Sequence, residues 1–347
     1  EHGPIQELVR LGTDRMTLGV RVEGDGAAIE YAFTVALAGT SCVISEEHLD
    51  VYQRPPPAEP LHALLRTPEK TLWFNQEKGR LEPVPTVPPH ALAAPSAAQG
   101  LVSQDAAVRL RRALEGIEVH PPFDVRPLWQ QQEQQVRRGP RWPARPSATS
   151  RVERFGYDLP AAFAVLRNDR EKWERLIARA RAAVGAELTD IVLDPAGGGQ
   201  LDIGLRFGPS QKLPLHCLSE GQVSFLALLA VAELDSGRTL LALDEPDVHF
   251  HPELVANLVK ILEELSSDCP VVIATHSDRL LDALEDPAAS ALLCELEPSG
   301  AASLRRPNPA ALDRWLDRYR GLGSISAAGY ARHVFDEGPP AGRGTAS

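Results

Sequence analysis

The sequence predicts an α/β protein in which a mainly parallel sheet, flanked by helices, follows an N-terminal antiparallel β subdomain. Three observations predict it. Residues 213–296 alternate short apolar runs, TLLAL, VVIA and SALLCEL, with helical patterns, the order that a covered parallel sheet requires. The first 82 residues read instead as alternating strands, with TLGVRVEG and AAIEYAFTVAL joined at Gly24-Asp25-Gly26. The chain of 347 residues, 43% hydrophobic and 24% charged, has the profile of a globular protein with room for a sizeable core.

In chain order, EHGPIQELVRLG reads as the end of a helix and its exit, and VISEEHLDVY continues the β-rich part to residue 82. Residues 83–154 are expected to form a Pro/Arg-rich insertion or linker with one short helix, AAVRLRRALEGI. It carries six arginines between Arg137 and Arg154, and Trp142. One reading is a nucleic-acid contact with the indole as a stacking platform. The other, which composition favours, is a solvated linker. Residues 155–212 hold a well-signalled helix, DREKWERLIARARAAVG, whose Trp173, Leu176, Ile177, Ala180 and Val184 fall at helical spacing before Gly185. TDIVLDP and GQLDIGLRF then read as strands about a PAGGG turn. Residues 213–300 form the chemistry-bearing lobe, and 301–347 a C-terminal helix and a disordered tail from Gly338.

Composition excludes several classes. With 36 basic against 47 acidic residues, net charge −11 and pI 5.4, the surface as a whole is not built to hold nucleic acid. Cys42, Cys217, Cys269 and Cys294 are widely spaced, which suggests neither a disulfide framework nor a zinc site and fits a reducing cytoplasm. The longest apolar run, FLALLAVA, falls far short of the ~20 residues of a membrane span. A cytoplasmic protein without membrane contact is expected. The preference for Arg over Lys, with abundant Ala and Pro, reads as the coding bias of a GC-rich bacterial genome.

Ligands of parallel sheets bind at the carboxyl ends of the strands. LLALDEPDVHFHPEL puts Asp244 and Glu245 at one such end, and ATHS puts Thr275, His276 and Ser277 at the next. One carboxylate there can hold a hydrated Mg²⁺, and a second can polarise a water for attack on a γ-phosphate. The plainer alternative has Asp244 capping the turn and Glu245 solvated. In HCLSEGQVSFLALLAVAEL, Ser219 and Gln222 have the spacing of a capping box, which needs no ligand. Gly221 in a first helical turn points to a group approaching the backbone closely, and a helix N-terminus is a phosphate-binding surface. His249 and His251 belong either to an exposed turn or, with Asp244 and His276, to a metal site.

Together these pieces resemble the ABC-type ATPases of the RecF/SMC branch, and within it the stand-alone bacterial AAA-family ATPases. LSEGQ matches the signature motif, LLALDEP the Walker B strand with its glutamate, and ATHS the switch-histidine segment, in the family's order and spacing. Looser likeness extends to HFHPELV, FGYDLPAAFAVLRND and LDRWLDRYRGLGSISAAG. The resemblance implies a P-loop NTPase fold of ABC/RecF-like type, with ATP and Mg²⁺ as ligands. It gives Asp244 to the metal, makes Glu245 the general base and has His276 sense the γ-phosphate. Ser219, Gly221 and Gln222 would bind the nucleotide of a second subunit, in trans. The implied unit is a head-to-tail homodimer, acting on DNA or through a separate effector or nuclease chain, in genome maintenance or phage defence. Where transporter-type members carry an aspartate after Walker B, this chain has His251.

The family's phosphate loop, GxxxxGK[ST], occurs nowhere in the 347 residues. The expectation is that a first strand, P-loop and helix of about 50 residues lie upstream of Glu1. Two other functions compete: a scaffold that keeps the ATPase fold for dimerisation alone, and a metal-dependent phosphoesterase using His249, His251 and Asp244.

Overall fold

The computed structural model describes residues 9, 12–24, 27–39, 41–53, 59–84, 87–97, 104–130, 138–235, 237–298, 300–316, 321–328 and 334. The readings of EHGPIQELVRLG as a helix end and of the tail from Gly338 as disordered lie outside the described residues, apart from Val9 and Gly12 in the former. The chain divides into two compact units, residues 1–116 and 117–347. Among the described residues no helix is long and apolar enough to cross a membrane.

The first unit is an antiparallel meander. Strands β1 (Arg15–Gly24), β2 (Ala27–Ala38), β3 (Ser41–Gln53), β4 (Leu61–Arg66), β5 (Thr71–Asn75) and β6 (Arg80–Pro83) pair in sequence order. β1 and β2 run from Arg15↔Ala36 to Gly24↔Ala27, the hairpin that the alternation predicts. Two short helices follow, α1 (Ala94–Ala97) and α2 (Gln104–Glu115). Ala106, Ala107 and Leu110 of α2 pack with Ile29, Tyr31, Leu49, Leu64 and Trp73 of the sheet. Glu47 is buried in this core and fully engaged: its carboxylate accepts from Tyr31 Oη (2.9 Å) and from the backbone N–H groups of Ala93 and Ala94 (2.7 and 2.8 Å). Burial beside that carboxylate pushes the Tyr31 hydroxyl pKa up.

The second unit begins inside the stretch expected as a linker. β7 (Ile117–His120) is a strand of a parallel sheet with the order β12-β11-β7. Next come α3 (Leu159–Leu166) and α4 (Arg170–Val184), the latter capped by Asp169, whose side chain accepts from Lys172 N. β8 (Leu188–Ala196), β9 (Gln200–Phe207) and β10 (Gln211–Pro214) form a three-stranded antiparallel sheet, with β8 and β9 meeting at the glycine turn. The remaining elements are α5 (Glu220–Glu233), β11 (Leu240–Asp244), α6 (Pro252–Ser266), β12 (Val271–Ala274), α7 (Asp278–Asp282), α8 (Pro287–Ser290), β13 (Leu293–Leu296), β14 (Ala302–Arg305), α9 (Pro309–Leu316) and α10 (Leu322–Ala327).

α5 is the centre of the core, buried from Val223 to Val231 on every side. A helix with no polar face must be enclosed, and it packs among Leu176, Leu241, Leu243, Leu258 and Leu262. One sequence expectation needs correcting. SALLCEL was expected to join the parallel sheet, but β13 pairs antiparallel with β14 in a separate hairpin. The cause is local: Glu297 N donates to Ala301 O (2.8 Å), and this tight turn folds the strand back on its own continuation.

Candidate functional site

Parallel register sets the site. Leu243 of β11 lies opposite His120 of β7, and Asp244 lies opposite Ala274 of β12. The three strands therefore end together, presenting His120, Asp244-Glu245 and Thr275-His276 at one edge. Asp244 is exposed, and its carboxylate has no hydrogen-bond partner among the described residues. A free carboxylate at a strand end, open to solvent, fits a hydrated Mg²⁺.

Glu245 sits in the left-handed region at φ 45°, a backbone state that costs a non-glycine residue energy and recurs at functional sites. Its N–H still bonds to Ala274 O (2.8 Å), so the sheet continues one step past Asp244 while the side chain is turned away. The carboxylate accepts from His276 N (3.1 Å), and the His276 Nε2 atom lies 3.7 Å from the same oxygen. His276 itself is 99% exposed and free to reach a ligand. Thr275 Oγ1 donates to Asp247 (3.1 Å) and accepts from Ser277 N (3.0 Å), which ties the two strand exits together.

The start of α5 carries the second part. Ser219 Oγ accepts from Gln222 N (3.3 Å), and Gln222 Oε1 accepts from Ser219 N (2.9 Å), a complete capping box. The Gln222 amide also donates to Ala183 O (2.9 Å), the end of α4. Both ends of this side chain are thus committed within the chain. Gly221 answers a packing demand as well: a Cβ there would lie 2.4 Å from the His249 carbonyl oxygen. The backbone that approaches so closely is the chain's own turn after β11. His249 adopts φ 73° in that turn, and its Nδ1 atom pairs with Glu220 at 3.2 Å.

The structure therefore brings Asp244, Glu245 and His276 to one place and joins Ser219, Gly221 and Gln222 to it through residues 245–250. His249 turns toward Glu220, and His251 is the exposed N-cap residue of α6. Among the described residues no group of three His, Cys, Asp or Glu side chains is placed to hold a metal. Within the arginine-rich stretch Arg138, Arg145 and Arg154 are exposed, while Arg141 is buried and donates to the carbonyls of Val125 (2.6 Å), Leu215 (3.4 Å) and His216 (3.0 Å). Burial lowers its pKa, though an arginine stays charged. Arg138 lies over the Trp142 ring at 4.9 Å, occupying the face a base would stack on. Arg137 lies outside the described residues. His120 was missed by the sequence reading. Its only signal is that IEVH alternates before two prolines, too short a run to separate from a loop.

Residues 137–282 match the family model described as "AAA domain, putative AbiEii toxin, Type IV TA system". The match spans 146 of the 347 residues, less than half of the chain. Its span takes in the start of α5, β11 and residues 274–277. No curated protein matches the chain. Among solved structures, a SmcHead bound to the C-winged helix domain of ScpA is 11% identical with a TM-score of 0.37, the match covering 80% of this chain and 74% of that one. The SMC head domain from Thermotoga maritima is 12% identical with a TM-score of 0.33, covering 82% and 75%. The Smc head domain with an extended coiled coil, bound to the C-terminal domain of ScpA and derived from Pyrococcus furiosus, is 10% identical with a TM-score of 0.34, covering 84% and 80%. These are distant likenesses. The likeness to AAA-type domains is confined to residues 137–282, which include the paired strand ends at Asp244 and Ala274.

Proposed function

We propose that this protein hydrolyses ATP in a site shared by two copies arranged head to tail, as a switch that drives a partner on DNA or a separate effector. The observation that carries the reading is the hydrogen bond from His276 N to the Glu245 carboxylate, with Asp244 beside it. It unites two sequence-distant motifs at neighbouring parallel strand ends. Glu245 takes the proton of a water as its oxygen attacks the γ-phosphorus; the bond to the β-phosphate oxygen breaks, and ADP and inorganic phosphate leave. Asp244 is the residue to hold Mg²⁺, which supplies charge neutralisation on the phosphates when bound. His276 contacts the γ-phosphate, and Ser219 with the N–H groups of the α5 start contacts the nucleotide of the other copy.

The phosphate loop is absent from these residues, and an open edge and face of the parallel sheet support the reading that such a segment joins it. β12 is paired on one side only among the described residues, and Val119 and Val272, aligned through Ala242 on one sheet face, are 44% and 54% exposed. A parallel sheet normally has both faces covered. A further strand and helix would pair β12 and cover that face.

The 347-residue chain is expected to bind ATP weakly. A form with an in-frame GxxxxGK[ST] segment is expected to turn over ATP with Mg²⁺, and there Glu245→Gln should keep nucleotide bound while lowering kcat at least ~100-fold. If that form neither hydrolyses ATP nor retains it differently after Glu245→Gln, the reading fails. The competing reading is a dimerising scaffold. Tight ATP-independent dimers of a form that never hydrolyses would establish it.

A further inference from the structure

Behind the carboxylate pair lies a small cavity lined by His120 and Phe123, by Ser224 and Leu228 of α5, and by Asp244, Glu245 and His249 of the strand exit and turn. The centre of a water molecule can range over about 10 Å³ there, the room that a single water needs.

His120 is 3% exposed, and its Nε2 atom is buried without a hydrogen-bond partner among the described residues. Its other nitrogen, Nδ1, lies 3.3 Å from the Arg154 carbonyl, which can only accept. In a ring with a single proton, Nδ1 carries it against that carbonyl and Nε2 is an acceptor. Glu118 stands 3.8 Å from Nε2, but Arg238 and Arg151 approach that carboxylate at 3.5 and 3.7 Å and balance its charge. An acceptor buried at such a site is unfavourable unless something donates to it.

We propose that the cavity holds one ordered water that donates to His120 Nε2 and to the carboxylate pair and accepts from Ser224 Oγ. His120 is then a positioning residue for the reacting acids, acting through the water and never touching the nucleotide. The kinetic part of this assignment rests on the ATPase reading; the water site itself does not.

A crystal structure of the chain is expected to show one water within hydrogen-bond distance of both His120 Nε2 and Ser224 Oγ. A dry or collapsed cavity overturns the assignment, whether or not ATP is hydrolysed. In the form that turns over ATP, His120→Phe fills the cavity and is expected to lower kcat about tenfold with KM for ATP unchanged. His120→Gln, whose Oε1 can stand near the position of Nε2, should restore most of that loss. An unchanged kcat in His120→Phe, or a loss wholly in KM, overturns the positioning role. If His120→Phe does not fold, Ser224→Ala gives the same readout: the water lost from the crystal structure and kcat lowered, against both unchanged. Wild-type protein that holds the water but never hydrolyses ATP would sink the ATPase reading and leave the water site standing.

Discussion

Gly221 shows that a close approach inferred from sequence has a source within the chain itself. In LSEGQ, a glycine in the first helical turn implies that something approaches its backbone, and the family resemblance makes that a phosphate. Within the chain the close group is the His249 carbonyl, 2.4 Å from where a Cβ would stand. Gly221→Ala should therefore act before any ligand binds. Displacing the 245–250 turn is expected to cost ~1–3 kcal/mol of stability, read by denaturant unfolding without nucleotide. A variant as stable as the parent would show that the turn yields freely. Asp158 offers a residue whose contribution depends on pH. Burial raises its carboxyl pKa, the largest of several causes, while the Glu153 N–H bonds to it at 2.7 Å. With the folded pKa above the unfolded one, its contribution is fully present below the ordinary Asp range and is lost as pH rises through the folded value. At neutral pH the buried charge is a liability, so Asp158→Asn should unfold at higher denaturant at pH 7. The difference should vanish below about pH 4, where both forms are neutral. Equal midpoints at pH 7 would contradict the sign.

At the scale of elements, legibility followed length and capping. The start of α5, its capping box and the 15-residue α4 could be read because periodicity and end signals agree over several turns. The four-residue strand β7 could not, since four alternating residues do not distinguish strand from loop and its partners lie over 100 positions away. Arg141 was unreadable for a related reason: a buried arginine is recognised only by the carbonyls it meets, and those come from distant segments. Nor does sequence show how α4, α5 and α6 are tied. Glu233 at the end of α5 is 2% exposed and accepts from Arg175 Nε (2.8 Å) and Arg179 (2.8 Å), while Arg179 also bonds to Glu264 of α6. The Glu233 bond raises the Arg175 pKa. Removing that one carboxylate leaves two guanidinium groups facing each other across the end of the central helix. Glu233→Ala is expected to cost ~3 kcal/mol, the low end for breaking a buried pair because Arg175 is partly solvated. Thermal unfolding measures it, and a loss under ~1 kcal/mol would mean that solvent replaces the carboxylate.

For the whole molecule, the untested step is whether one chain supplies half of each of two sites. The motifs permit a sharp test because the two halves can be damaged separately. In a head-to-tail pair, one site takes Glu245 from the first copy and Ser219 from the second; the other site takes the converse. Glu245→Gln removes the base from both sites of its own dimer, and Ser219→Arg blocks the nucleotide face of α5 in both sites of its own. Ser219 is exposed, and its loss as a cap costs only ~1 kcal/mol, so the fold should survive. Each variant alone is expected to be inactive in the form that carries a phosphate loop. When the two are mixed, a heterodimer places both lesions in one site and leaves the other wholly wild-type. With random pairing, half of the dimers carry one intact site, so activity should return to about a quarter of the wild-type rate. A site complete within one chain predicts no recovery at any mixing ratio. Recovery would also explain why Glu220 and Gly221 are packed against the His249 turn: the part of the chain that serves the neighbour's nucleotide is fastened to the part that holds its own catalytic acid.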